Sequence, residues 1–438
     1  MNITSILICK LAALLLSATT LDIHVDPAGS DTNPGTSTAP LATIAKARDV
    51  LRASNQLGKQ PMTVTLADGV YYLPETLTFT PEDSGSKEHP VVYRAKNRGK
   101  AVISGGLKLE LDWQPYQDGI FQATTPAGLD IDQLFINTTK QRMARYPNYD
   151  VANKTAPYQG CAADAFSKKR AAKWADPGGG YIHAMHRSRW GGYHYRITGK
   201  DAKGDVTYDG GWQNNRQMGM HKSQRMVENI QEELDAPGEW FHDTDANTLY
   251  YMPDHSTDLA KAVVEIVRLR HLIEVHGDLK PTIATIKVPD PGNKIADLTL
   301  ETPETTKSVQ WIQFEGLRFS GTRRTFMDTR EPLLQSDWAV YRGGAVHLRG
   351  TENITIEKCD FEELGGNAVF VDGYNRHTAI RGNLFKNNGA SDVNIVRLPP
   401  CGRLGIAIQP RLIRWRAWIE KSDQKRANTR PTAWWKTI

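Results

Sequence analysis

Residues 353–361 read NITIEKCDF, and residues 377–385 read HTAIRGNLF, 24 positions later. The earlier stretch QFEGLRF, residues 313–319, fits the same pattern at an offset of 42. Four residue pairs share the offset of 24: Ile356 and Ile380, Phe361 and Phe385, Gly365 and Gly389, and Val369 and Val393. Short alternating strands at such periods predict an all-β fold of stacked coils, a parallel β-helix in which each coil adds one inward row. An antiparallel meander is the alternative.

The repeat stops after Val396. Residues 397–438 show neither strand alternation nor a helical period, and they hold ten Lys and Arg against two Asp and Glu. A solenoid needs a cap at its end, and no cap follows. We therefore expect this aberrant basic tail to come from a shifted reading frame or a similar truncation, with an authentic basic tail as the alternative.

The net charge of +5 is concentrated in that tail, because residues 1–396 carry 44 basic and 47 acidic side chains. A nucleic-acid-binding protein would carry a basic patch on its folded body. The near-neutral body therefore predicts no nucleic-acid partner. Oligomeric state cannot be read from the sequence.

Residues 1–18 have the layout of a secretory signal peptide, with Lys10 before the apolar run of residues 11–16 and the small residues Ser17 and Ala18 after it. The apolar run is too short to span a membrane, and no later stretch is long enough. We therefore expect a secreted or periplasmic protein without a membrane span. A buried N-terminal strand is the alternative.

Four further regions are predicted downstream. Residues 19–106 form an N-terminal cap and the first coils, in which Leu41, Ile44, Ala47 and Leu51 mark an amphipathic helix. Residues 107–290 form an inserted β-rich, sandwich-like region with long loops. Residues 291–396 return to coils, and residues 397–438 are the tail.

Familiar catalytic and cofactor motifs are absent, and we predict no cofactor. A stack of coils offers a long groove, in which carboxylates from different coils can flank one glycosidic bond. The acids considered are Glu331, Asp337, Asp372 and Asp392. We predict that Asp337, Asp372 and Asp392 are catalytic because they fall on adjoining coils; for any one of them taken alone, a solvated turn acid is the favoured alternative.

Aromatic, Arg and His side chains near these acids, and in the separate stretch of residues 181–199, predict contacts with sugar rings. The predicted substrate-binding residues are Trp338, Tyr341, Tyr374, Arg376, His347, His186 and Trp190. His183 and His186 could ligate a metal, but no third ligand stands at a recognisable spacing, so no metal site is predicted.

Several stretches resemble a known family. DPAGSDTNPGT (residues 26–36), QLFINTTKQRMARYPNY (133–149) and above all EELDAPGEWF (232–241) resemble secreted right-handed parallel β-helix proteins around glycoside hydrolase family 141. The resemblance covers residues 22–396. It implies a pectate-lyase-like fold and a glycosidase that acts with two carboxylates on a polysaccharide or oligosaccharide.

Two other functions stay open on the sequence alone. A β-helix polysaccharide lyase would use a Lys or Arg base and release an unsaturated product. A non-catalytic carbohydrate-binding or surface protein would use the same aromatic residues. A truncated chain would be a remnant of the hydrolase, with doubtful activity.

Overall fold

The computed structural model describes residues 21–212, 218–280, 283–289, 295–301, 304–328 and 341–396. The chain is all-β with few helices. Three parallel sheets form its main body, and the chain visits the first, second and third sheet in turn before starting the next coil. The predicted all-β class with stacked parallel strands is confirmed, and the antiparallel meander is wrong.

Each sheet takes one strand from each coil. The first sheet contains Leu21–Val25, Met62–Leu66, Val91–Ala95, Ile312–Glu315, Thr355–Glu357 and Ala379–Arg381. The second contains Gly69–Tyr72, Ala101–Ser104, Arg318–Ser320, Asp360–Glu362 and Leu384–Lys386. The third contains Leu77–Phe79, Ile273–His276, Val346–Glu352, Val369–Arg376 and Val393–Val396, and Val309–Gln310 pairs with its middle strand.

The register of these strands reproduces the offsets read from the sequence. Ile356 pairs with Ile380 and Phe361 with Phe385, both at an offset of 24. Phe319 pairs with Phe361 at the predicted offset of 42. The rings of Phe319, Phe361 and Phe385 form one stacked column, with centroid distances of 4.8 and 5.1 Å. Because each coil leaves one such face to be covered by the next, the core is continuous along the stack.

The predicted amphipathic helix spans Ile44–Ala53 and buries Ile44, Ala47 and Leu51. Thr43 caps it, since its side chain accepts a hydrogen bond from the Lys46 backbone N–H. Its apolar face joins the same core as the first strands of the stack. The second helix is a single turn, Lys168–Ala171. Short 3₁₀ turns lie at Pro81–Asp83, Pro157–Gln159 and Gln231–Glu233.

Three further sheets lie between the second and third strands of the second sheet along the chain. One contains Thr139–Lys140, Leu134–Ile136, Val264–Val267 and Gly106–Leu109. Another contains Arg142–Met143, Glu239–Asp243, Thr248–Met252, Phe121–Thr124 and Gln114–Pro115. The last contains Arg145–Tyr146, Met220–Glu228, Tyr181–His186, Gly192–Lys200 and Val206–Gly210. We call residues 106–267 the insert.

Ile273–His276 lies inside the predicted 107–290 region, yet it is a strand of the third sheet of the stack. Two antiparallel pairs follow it: Asp278–Lys280 with Glu304–Lys307, and Ile283–Pro289 with Ile295–Glu301. No helix among the described residues is long and apolar enough to cross a membrane. The domain boundaries themselves stay a prediction.

Candidate functional site

A repeated five-residue pattern shapes the outer face of the third sheet. Residues 273–277 read IEVHG, residues 346–350 read VHLRG and residues 369–373 read VFVDG. The strands pair in register, so that Glu274 lies beside His347 and Arg349 beside Asp372. Since side chains alternate across a strand, the first and third residues of each copy point into the core, and the second and fourth residues, including Phe370, lie on one outer face. We call this surface the third-sheet face.

Asp372 is the most tightly held acid on this face. His347 Nε2 donates to Asp372 Oδ1 at 2.9 Å, and Arg349 Nε donates to the same oxygen at 2.8 Å. Arg349 Nη2 donates to the other oxygen. The Asp372 side chain is 0% exposed. Burial alone would raise its pKa, but the hydrogen bonds from Arg349 and His347 hold that pKa well below the ordinary value of an aspartate.

Glu274 is the carboxylate of this face that reaches solvent, with a side chain 25% exposed. His271 Nδ1 lies 2.6 Å from Glu274 Oε1, and His276 Nδ1 lies 3.6 Å from Glu274 Oε2. The hydrogen bond from His271 lowers the pKa of the Glu274 carboxyl. Burial and the neighbouring His347 lower the pKa of His276 to about 4. An anionic carboxylate therefore sits among imidazoles at the edge of the buried Asp372.

The imidazoles connect the two carboxylates. His276 Nε2 lies 3.3 Å from His347 Nδ1, and His347 binds Asp372 through its other ring nitrogen. Two imidazoles therefore lie between Glu274 and Asp372, with hydrogen bonds from Asp372 as far as His276 and a contact of 3.6 Å from His276 to Glu274. On its outer side, His271 Nε2 bonds to the hydroxyl of Tyr341 at 2.9 Å.

The structure brings together three of the predicted site residues: Asp372, His347 and Tyr341. Tyr374 and Arg376 continue the same strand, where the Tyr374 hydroxyl donates to Glu352 and the Arg376 guanidinium lies over the Tyr374 ring. These two residues lie beyond the turn at Gly373. They extend the third-sheet face away from Glu274.

Asp392 lies apart from this group. It is exposed and accepts a hydrogen bond from Asn388 Nδ2 at 3.1 Å. The strand partner of Asp372 on the next coil is Val396, four residues after Asp392. The two acids are therefore displaced by roughly 13 Å along the strands, at about 3.3 Å per residue. Asp392 therefore lies outside the row of residues that pairs with Asp372. Glu331, Asp337 and Trp338 lie outside the described residues.

His186 and Trp190 lie in the insert, on a hairpin formed by Tyr181–His186 and Gly192–Lys200. Their rings stack with an interplanar angle of 7°. His186 is fully buried, whereas Trp190 is 49% exposed. Trp190 is therefore the member of this pair that a ligand can reach.

A second charged cluster joins the insert to the stack. Arg324, just after the second-sheet strand Arg318–Ser320, binds Asp132 through Nε at 2.8 Å and also binds Glu228. Glu228 in turn accepts from His183 Nε2 at 3.0 Å, and His183 Nδ1 lies 2.7 Å from His194 Nδ1. Burial lowers the pKa of His194 to about 3. The cluster is enclosed, and we assign it to packing between the insert and the stack.

His271, Glu274, His276 and Arg349 are functional candidates that sequence reasoning missed. The signal was present in the repeated pattern of residues 273–277, 346–350 and 369–373, in which a Gly follows two apolar residues at alternate positions. The first two copies are 73 residues apart, so they fall outside the regular offsets of 24 and 42 in residues 313–396.

The comparisons with known proteins support the fold. No protein-family model matches the chain, and no curated protein sequence matches it. A solved structure described as a glycoside hydrolase matches with 22% identity and a TM-score of 0.61, covering 83% of this chain and 65% of that one. The chain thus spans less than two thirds of that protein, and the likeness shows a shared fold.

Two other solved structures match with lower scores. XylC in complex with xylose matches at 13% identity and a TM-score of 0.39, covering 83% of this chain and 53% of that one. The lacto-N-biosidase of family GH136 from Eubacterium ramulus matches at 10% identity and a TM-score of 0.27, covering 83% and 40%.

Proposed function

We propose that this chain is a glycoside hydrolase with a right-handed parallel β-helix, exported from the cell, that binds an extended glycan along the third-sheet face. The fold shared with a glycoside hydrolase supports the class of protein. The groove-like succession of polar residues from coil to coil supports a polymeric substrate, because successive coils repeat contacts at the strand spacing of about 4.8 Å.

The observation that carries the proposal is the arrangement of Glu274 and Asp372 on one face, with His276 and His347 between them. Glycosidases place two carboxyl groups around the bond that they break. Only groups that reach the sugar can act on it directly. Glu274 is therefore assigned as the carboxylate that contacts the substrate, where it takes a proton from the attacking water and returns that proton to the leaving oxygen.

Asp372 is assigned a positioning role. Its oxygens are taken up by Arg349 and His347, so it acts on the site through the imidazole that it orients. His276 lies 3.3 Å from the Nδ1 of His347, so it packs between the oriented imidazole and Glu274. Tyr341 fixes His271, which in turn holds Glu274.

The test is an assay of the full chain against a panel of plant and algal polysaccharides, with reducing ends measured over time. We expect new reducing ends with the parent chain and their loss in Glu274→Gln. Glu315→Gln is the matched control, because Glu315 is a partly exposed glutamate on the first sheet that binds Lys358 at 2.8 Å. Equal loss in both variants, or full activity in Glu274→Gln, would contradict the assignment.

The same assay separates the alternatives. A product that absorbs in the ultraviolet, without added water across the broken bond, would identify a lyase. Retention of a glycan by the folded chain without any turnover would identify a binding protein. In either case Glu274→Gln should be compared with the parent chain for binding as well as for turnover.

A further inference from the structure

His271, Glu274 and His347 form a cluster in which one potential ligand atom from each residue lies within 4.8 Å of the other two. They come from two neighbouring coils: His271 and Glu274 flank the start of Ile273–His276, and His347 lies on Val346–Glu352. His347 is the direct strand partner of Glu274. The parallel register therefore brings the three side chains together.

Both histidines are oriented by a second hydrogen bond. His347 donates from Nε2 to Asp372, and His271 Nε2 bonds to the Tyr341 hydroxyl. Each ring therefore presents Nδ1 on the side of Glu274. Metal-bound histidines typically have their other ring nitrogen fixed in this way by a carboxylate or another polar group. A tyrosine hydroxyl can donate or accept, so Tyr341 can support either tautomer of His271.

His271 Nδ1 and Glu274 Oε1 lie 2.6 Å apart and share a proton. A metal ion that binds to this cluster must displace that proton. A cation placed there would bind both atoms in place of that proton. His276 Nε2, 3.3 Å from His347 Nδ1, borders the same space. An ion bound to His347 Nδ1 would replace the hydrogen bond that this nitrogen makes with His276.

The donor set selects the kind of ion. Two imidazoles and one carboxylate suit Zn²⁺, whereas Ca²⁺ and Mg²⁺ require oxygen ligands. Three protein ligands with a fourth position left for water are typical of an open zinc site. The side chains of His271 and Glu274 are 15% and 25% exposed, which gives an ion a route from solvent.

We propose that the chain binds one Zn²⁺ ion through Nδ1 of His271, the carboxylate of Glu274 and Nδ1 of His347. Resting on the proposed function, the inference adds that this ion inhibits hydrolysis, because it occupies the carboxylate that must contact the sugar. No bond of the substrate is made or broken by the ion in this scheme.

Binding is tested by isothermal titration of Zn²⁺ into the full chain after treatment with a chelator. We expect one site per chain, and a loss of at least about 100-fold in affinity for His271→Ala and for Glu274→Gln. Asp372→Asn should weaken binding by about 10–100-fold, the usual effect of losing an outer partner of a ligand. His24→Ala is the control, because His24 also lies near a carboxylate, Asp22, at 3.6 Å on another sheet.

A second measurement guards against variants that fail to fold. Co²⁺ added to the intact parent chain should produce the visible absorption of a tetrahedral site, and one equivalent of Zn²⁺ should remove it. No heat and no absorption from the parent chain would overturn the site. Unchanged affinity in folded His271→Ala and Glu274→Gln would also overturn it.

The hydrolysis assay distinguishes the two proposals. Zinc binding without any hydrolysis at any metal level would support the site and contradict the proposed function. Hydrolysis in a chain that binds no Zn²⁺ would support the function and overturn the site. If the chain binds Zn²⁺ and its rate of hydrolysis does not fall, the proposal that zinc inhibits hydrolysis is wrong.

Discussion

The Asp372 carboxylate has both oxygens engaged by neighbouring side chains and none of its surface in contact with solvent. A group held in this way cannot reach a sugar without breaking an ion pair, and separating a buried ion pair costs about 3–5 kcal/mol. Its influence is therefore transmitted by His347. At the residue scale, the exposed partner Glu274 and the buried partner Asp372 have different tasks.

Asp372→Asn is predicted to lower kcat with little change in KM. The amide cannot hold the Nε2–H of His347 as an anion does, so the imidazole loses its orientation while the glycan surface is retained. Steady-state kinetics across a pH series checks this, because a changed pH profile is not produced by lost packing alone. Asp360→Asn is the control, since Asp360 also faces an arginine, Arg98, at 3.6 Å. The same kinetic changes in Asp360→Asn would show that the effect comes from a general loss of structure and not from the orientation of His347.

Glu239 gives a prediction about stability and pH. Burial and the nearby Asp235 raise the pKa of this carboxyl to about 8, and its side chain is almost completely enclosed in the insert. In the unfolded chain this carboxyl has the ordinary glutamate pKa of 4.5. A raised pKa in the folded state means that the unfolded chain loses this proton first as pH rises. Its contribution to stability is thus fully present below about pH 4.5 and is lost as pH rises towards 8.

Glu239→Gln should therefore flatten the pH dependence of the free energy of unfolding between these limits. The amide keeps a similar shape and carries no proton that can be lost. Denaturant unfolding at pH 5 and pH 8 measures the difference. Asp243→Asn, on the same strand, is the comparison. A slope unchanged by Glu239→Gln would contradict the raised pKa.

At the scale of the strand and its turn, the glycine that ends each five-residue pattern serves a different purpose in each coil. Gly350 and Gly373 adopt positive φ angles of 71° and 68°. A Cβ on Gly350 would lie 3.1 Å from the backbone of Gly277, whereas a Cβ on Gly373 would meet only the Arg349 side chain at 3.5 Å. At Gly373, glycine is required because the backbone is left-handed. At Gly350, the backbone is also left-handed, and the close approach of the neighbouring coil is a second reason for glycine.

Gly373→Ala is predicted to cost about 1–2 kcal/mol, the penalty for a left-handed non-glycine residue. Gly350→Ala should cost more, because its methyl group also presses on the coil beside it. Gly277→Ala tests the contact without the strain, since its Cβ would lie 2.5 Å from two backbone oxygens. Denaturant unfolding of the three variants measures the loss in free energy of unfolding for each and so ranks them. Equal losses at Gly350 and Gly373 would show that contact between the coils is unimportant.

Much of the stack can be predicted from the sequence, because inward residues repeat with a strict register. The offsets of 24 and 42 each place a residue against its observed strand partner. The third-sheet face was harder to predict. Glu274 and His347 are neighbours in space but 73 positions apart, and alternation along a strand says which face a residue occupies without saying which outer residues pair. The predicted Asp372 was found in the site, whereas its immediate partners were not anticipated.

At the scale of the whole molecule, Arg324 holds the insert against the stack. Its guanidinium contacts Asp132 and Glu228 of the insert, and its own backbone N–H donates to Asp132 at 2.6 Å. Phe326 packs against His183 and His194 two residues later. Although burial opposes its charge, the two acids raise the pKa of Arg324. The ion pairs between Arg324 of the stack and the two acids of the insert therefore fix the insert relative to the third-sheet face.

Arg324→Met is predicted to destabilise the chain by about 3–5 kcal/mol, because it leaves two carboxylates buried without their cation. Arg323→Met should cost about 0–1 kcal/mol, since its partner Asp130 is 72% exposed. Thermal and denaturant unfolding of both variants measures the contrast. A similar loss of stability in both variants would mean that the buried ion pairs of Arg324 contribute no more than the exposed pair of Arg323.

The corner between the second and third sheets accepts connections of very different size. Residues 105–272 leave and return there, as do residues 321–345, 363–368 and 387–392. The insert begins and ends on adjacent antiparallel strands, with Gly106 opposite Val267, so its two ends meet the stack side by side. A segment of different length could therefore be joined at these two points without changing the register of the coils, provided that it also supplies carboxylates to pair with Arg324.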